Sequence, residues 1–151
     1  MDIARPIVLL LALVLGTHSV AWACRCVATP VEAQVSEAEM VVYGEVVGIT
    51  LGEPLSTAKF ISVKVAKSYV GDAAPGATIT VRTSQEESSC GLNVVEGQHW
   101  VFFVQRGGSS LCSSSRVVHD LATDAVIAEI EAAVSSEAGS ERTSAWRWPR
   151  C

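Results

Sequence analysis

The residues of this chain best suited to chemistry are its five cysteines, Cys24, Cys26, Cys90, Cys112 and Cys151. Thiols can pair, hold a soft metal ion or act as nucleophiles. Zinc takes thiols or histidines in two closely spaced pairs, and Cys24-x-Cys26 has no second pair to match it, because Cys90 and Cys112 are far apart along the chain. The chain is therefore expected to carry no metal of its own and no cofactor. A nucleophile needs a base and an orienting group nearby. His18 falls in the leader described below, His99 opens an apolar run and His119 stands at a strand-to-helix joint. No G-x-S-x-G, H-E-x-x-H or phosphate-binding glycine loop is present. Glu86 and Glu87 are adjacent acids in a polar stretch, which reads as a solvated turn rather than a carboxylate dyad. No catalytic residue is expected, and the chain reads as a non-enzyme.

What remains for the thiols is pairing, which requires an oxidising compartment. Export is written into the first residues. Arg5 precedes an apolar run from Ile7 to Leu15, too short to span a bilayer, and Ala21-Trp22-Ala23 supplies the small-x-small pattern cut by signal peptidases. Residues 1–23 are thus expected to be a signal peptide, and the mature chain to begin at Cys24. A lipid-bearing Cys24 is the competing reading, but lipoprotein signals usually place an aliphatic residue where Ala21 stands. The product is expected to be secreted, or periplasmic in a bacterium. No later apolar stretch predicts a membrane span. Removing the leader takes away Asp2 and Arg5 together, so the net charge of −5 is unchanged. That balance argues against nucleic acid, whose binders carry a basic patch or stripe. Two bridges and one leftover thiol are the natural count, with three connectivities open to the first four cysteines. Cys151, the last residue, is left for an intermolecular disulfide or a capped thiol.

The elements that must position these thiols follow from periodicity. Thr29-Pro30 ahead of Val31-Glu32 predicts a short helix with a capping hydroxyl and Pro at its first position. Met40 to Ile49 is rich in β-branched residues and predicts a long strand, with Gly44 and Gly48 placed for bulges. Phe60–Lys67 alternates, setting Ile61, Val63 and Val65 on one face, and Tyr69-Val70 extends it. Thr78–Arg82 forms a third strand, and His99–Val104 is the most apolar. Gly107-Gly108-Ser109-Ser110 predicts a turn into a short last strand around Leu111-Cys112. From about Asp120 to Val134, Leu121, Val126, Ile127, Ile130 and Val134 fall near helical spacing, ending before Gly139. Five strands with a helix near each end predict an all-β domain over 24–134, a small OB-fold-like β-barrel with short flanking helices. Residues 135–151, rich in Ser, Glu, Gly and Arg, are expected to form a flexible tail.

Taken together, Cys24-x-Cys26 at a processed terminus, a short helix, a first strand containing Val46-Val47-Gly48, Ser89-Cys90-Gly91 and Leu111-Cys112 resemble the N-terminal netrin-like domain of the tissue inhibitors of metalloproteinases. The resemblance covers roughly residues 24 to 118. It implies bridges Cys24–Cys90 and Cys26–Cys112, each worth roughly 3–5 kcal/mol in the chain-entropy model. It also implies inhibition of a zinc metalloprotease, whose catalytic zinc would be chelated by the α-amine and carbonyl of Cys24. Arg25, Cys26 and Val27 would lie in the protease cleft, with Ser88 and Ser89 making a second contact. Arg25 departs from the family, which usually has a small hydroxyl residue there, and points to a protease with a polar or acidic pocket. The third bridge and the second cysteine-rich domain of the animal inhibitors are not matched. The alternative is a netrin-like module that binds a protein or glycan through barrel loops without inhibiting anything, lipid-anchored if Cys24 is acylated.

Overall fold

The computed structural model describes residues 24–54 and 56–144, with 137–144 as backbone only. The signal-peptide reading of 1–23 and the fate of Cys151 lie outside these residues. The chain is all-β with flanking helices: α1 (Val31–Glu37), β1 (Met40–Leu51), β2 (Ala58–Val70), β3 (Thr78–Ser84), a 3-10 turn (Glu87–Ser89), β4 (His99–Val104), β5 (Arg116–Val117) and α2 (Ala125–Ser144). The strands make one antiparallel sheet in the order β3-β2-β1-β4-β5.

Alternation along the strands sorts the apolar side chains to two faces. Val42, Val46, Ile61, Val63, Val65, Val81, Trp100 and Phe102 fill one core, joined by Leu92 and Val94 from the loop before β4. Val41, Val101 and Phe103 point the other way and pack against Val31 and Val35 of α1 and Ile127, Ile130 and Ala133 of α2. This explains why β4 is buried at five of its six positions and reads as one apolar run. The bends of β1 occur where the glycines predict, since its pairing with β2 slips between Tyr43 and Gly44 and between Val46 and Gly48. At Gly44 the close approach is unavoidable: a Cβ would lie 2.9 Å from Val63 Cγ1 and collide with the Lys64 carbonyl.

Four local expectations are corrected. The sheet does not close into a barrel among the described residues. β5 is two residues long and pairs only with β4, so β3 and the β4–β5 loop meet through a bridge at Arg82 and Gly108 and the bonds Arg82 N–H to Gly107 O (3.1 Å) and Ser109 N–H to Arg82 O (2.8 Å). The last strand forms at Arg116–Val117 rather than at Leu111-Cys112, because the serines after Cys112 bond among themselves and fold that segment into a turn. Thr29 does not cap α1: Pro30 occupies the cap position, and the Thr29 hydroxyl reaches the Val27 carbonyl at 3.4 Å. Finally, α2 starts at Ala125, where the Asp124 carboxylate accepts from Val126 N–H at 3.0 Å, and runs on to Ser144. Gly139 costs about 1 kcal/mol in a helix interior, which the flanking Ala and Glu residues tolerate. Residues 135–144 are therefore helix where a tail was expected.

Tyr69 offers a test of this packing. Its hydroxyl is buried without a hydrogen-bond partner, while the Lys67 ammonium, bonded to Glu131 at 2.7 Å, lies over its ring 4.5 Å from the centroid. Removing an unpaired buried hydroxyl removes a desolvation cost and leaves the cation over an aromatic face. Tyr69→Phe is expected to hold stability or raise it by up to about 1 kcal/mol, read from the urea midpoint.

Candidate functional site

Three segments remote in sequence meet at one edge of the sheet: the N-terminal stretch 24–30, the 3-10 turn before Cys90, and the loop around Cys112. Their junction is two disulfides. Cys24 joins Cys90 with Cα atoms 5.2 Å apart, and Cys26 joins Cys112 with Cα atoms 4.9 Å apart. The bridges are also packed on each other, with Cys24 Sγ 3.6 Å from Cys112 Sγ. Between them they close separations of 66 and 86 residues, which restricts the unfolded chain strongly.

The N-terminal stretch has no regular structure. Cys24 is half-buried, whereas Arg25, Cys26 and every residue to Pro30 are exposed, Val27 at 82%. A segment without ladder hydrogen bonds would ordinarily wander, but here both cysteines are anchored and the far end leads directly into α1. Gln34 adds an anchor that the sequence did not announce. It is buried on α1, donates from Nε2 to Thr29 O at 2.8 Å and accepts from Ser114 N–H at 2.7 Å through Oε1. It therefore ties the ridge to the Cys112 loop independently of sulfur. The only signal for it was a glutamine on the apolar side of a short helix.

The second segment is built by backbone bonds. Ser89 N–H and Gly91 N–H both donate to Glu86 O at 3.0 Å, and Cys90 N–H donates to Glu87 O at 2.9 Å. Cys90 takes the left-handed conformation, φ 63°, to end the turn. Ser88 and Ser89 are exposed on it beside the Cys24–Cys90 bridge. Leu111 N–H donates to Cys90 O at 2.9 Å, so the turn and the Cys112 loop are joined by main chain as well. Leu111 is 47% exposed, and with Val27 it flanks the Cys26–Cys112 bridge by sequence neighbourhood, setting apolar side chains on both of its segments. Glu86 and Glu87 are exposed. His99 stacks on Tyr43 with ring centroids 5.8 Å apart.

Gly91 governs how close the turn sits. A Cβ there would lie 2.8 Å from Glu86 O and strike the Ser84 carbonyl. Gly91→Ala is expected to cost about 1–3 kcal/mol and to displace Ser88 and Ser89, read as a lower thermal midpoint with both disulfides intact.

Beside the ridge, where β3 and the β4–β5 loop fail to close the sheet, lies a cavity of about 450 Å³ lined by Arg82, Thr83, Arg106, Ser109 and Ser113 among others. Neither arginine makes an ion pair among the described residues. No helix among the described residues is long and apolar enough to cross a membrane. The chain matches no protein-family model and no curated protein sequence.

Proposed function

We propose that this protein is a secreted inhibitor of zinc metalloendopeptidases that acts through the N-terminus created by cleavage before Cys24. The observation supporting this reading is the exposed Cys24-Arg25-Cys26-Val27 segment, held at both cysteines against the Ser88-Ser89 turn and the Leu111-Cys112 loop. Catalytic zinc keeps a position open for water or substrate. The Cys24 α-amine and carbonyl oxygen, five-membered with the metal, displace that water as a bidentate pair. An α-amine titrates near 7.7–8.0, so a useful fraction is neutral at physiological pH, and zinc draws off the remaining proton. Because the bridges already order the segment, docking loses little conformational entropy. Val27 and Leu111 supply apolar contact, and Ser88 and Ser89 hydrogen-bond at the rim of the cleft.

Arg25 sets the choice of target. A guanidinium entering an apolar pocket loses its hydration without a partner, at a cost of several kcal/mol, whereas a carboxylate in the pocket offsets that cost. The target is therefore a protease whose pocket is polar or acidic. The test is inhibition of a panel of zinc endopeptidases by oxidised protein beginning at Cys24, with Arg25→Thr alongside. Arg25→Thr is expected to weaken inhibition of acidic-pocket members by about 10- to 100-fold and to strengthen it toward apolar-pocket members. A panel untouched by either protein would reject the proposal.

The open cavity at Arg82 and Arg106 favours a second reading, a binding module that uses the sheet edge to take a protein or glycan ligand. Such a module would keep its binding when the N-terminus is blocked.

A further inference from the structure

Cys90 and Cys112 are far apart along the chain, and folding removes that separation. Besides the two bonded pairs, Cys24 Sγ lies 3.6 Å from Cys112 Sγ and 4.0 Å from Cys26 Sγ, and Cys112 Sγ lies 3.8 Å from Cys90 Sγ. A tetrahedral zinc with Zn–S distances of about 2.3 Å sets its thiolate sulfurs about 3.8 Å apart. Three sulfur–sulfur edges therefore already have the length that a tetrathiolate site needs, and Cys24, Cys26 and Cys112 alone have their sulfurs within 4.8 Å of one another. The two bonded pairs have to separate, and Cys90, which falls outside the set of sulfurs lying within 4.8 Å of one another, has to close on Cys26.

We propose that Cys24, Cys26, Cys90 and Cys112 form a tetrathiolate site for one zinc ion when a dithiol reductant opens both bridges. Each bridge takes two electrons and two protons from one dithiol, which leaves as its own disulfide. Zinc then binds the four sulfurs and displaces their four protons. Access is open, because Cys26 is exposed and the other three are half-buried.

The scaffold holds the sulfurs together without the bridges. None of the four cysteines belongs to either hydrophobic core. Leu111 N–H to Cys90 O keeps the Cys90 and Cys112 segments joined, and Gln34 ties the N-terminal stretch to Ser114. Cys24 and Cys26, two residues apart, arrive as one unit. Oxidation and metal binding are then alternative ways of closing the same junction, so the protein holds zinc only in its reduced form.

The experiment uses the chain from Cys24 with Cys151→Ser, reduced with a phosphine and titrated with Co²⁺ in the absence of oxygen. The expected result is one Co²⁺ per chain with the visible bands of tetrahedral thiolate cobalt, displaced by Zn²⁺, while the oxidised protein takes none. Mass spectrometry after alkylation of the zinc form should find four protected thiols, and far-UV circular dichroism should show the strand signal of the oxidised protein. Cys90→Ser and Cys112→Ser should each weaken zinc binding by more than the roughly 10- to 100-fold that loss of an outer-shell partner costs. Three or fewer protected thiols, absence of the thiolate-cobalt bands, or failure of the reduced chain to fold with zinc present would each overturn the proposal.

Discussion

A single alanine added before Cys24 is expected to abolish inhibition of the target protease while leaving the fold untouched. The extension converts the α-amine into an amide nitrogen, which has no lone pair to give zinc, and places a residue where the metal must approach. Losing both metal bonds costs on the order of a thousandfold in inhibition constant, equivalent to about 4 kcal/mol. The thermal midpoint should not move, because residues 24–30 contribute no side chain to either core and both bridges remain. The measurement is a progress curve of peptide hydrolysis with the two proteins side by side. Equal inhibition by both would rule out chelation by Cys24 and favour binding through the cavity at the open sheet edge. The same chemistry has a pH signature. Protonation of the amine competes with zinc, so inhibition should weaken by up to about tenfold per unit as pH falls below about 7.7–8.0, beyond any change in the protease itself.

Phe102→Ala is expected to remove about 3–5 kcal/mol of stability, the largest loss from any single truncation of the core. Phe102 is fully buried at the middle of β4, stacks on Trp100 with ring centroids 5.7 Å apart and sits opposite Val42 in the sheet. Truncation leaves a void between two well-ordered strands that cannot collapse, because β4 is held by β1 on one side and β5 on the other. A domain of this size has a total stability of about 5–15 kcal/mol, so the loss is a large share of it. Urea unfolding with both disulfides intact measures it as a lower midpoint at unchanged slope. Phe60→Ala is the control. Phe60 is 36% exposed on β2, and its truncation should cost much less.

Sequence periodicity carried much of the fold because it reports local burial. Strict alternation in Phe60–Lys67 placed Ile61, Val63 and Val65 inside, and the unbroken apolar run His99–Val104 marked a strand buried on both faces. Gly44 and Gly48 marked where β1 slips its register. The errors fall where non-local contacts outweigh local preference. Thr29 is a good cap by type, but the descent from the anchored cysteines sets its backbone so that Pro30 takes the cap. Leu111-Cys112 has strand composition, yet its main chain bonds to Cys90 and its successors to one another, leaving two residues further on to pair with β4. The second helix runs past Gly139 to Ser144, since a lone glycine costs a helix interior only about 1 kcal/mol and is a weak stop by itself.

The sequence by itself determined the class of this fold: all-β, with helices flanking the strands. Those properties depend on residue type and short spacing, which a linear reading contains. Only the tertiary structure decided that the sheet stays open at β3 and β5, and that Gln34 serves as an anchor. It also brings four sulfurs from three distant segments to within 4.0 Å of a neighbour. Such convergence depends on how strands coil and where loops return, quantities set by the packing of two cores and not by the spacing of residues along the chain.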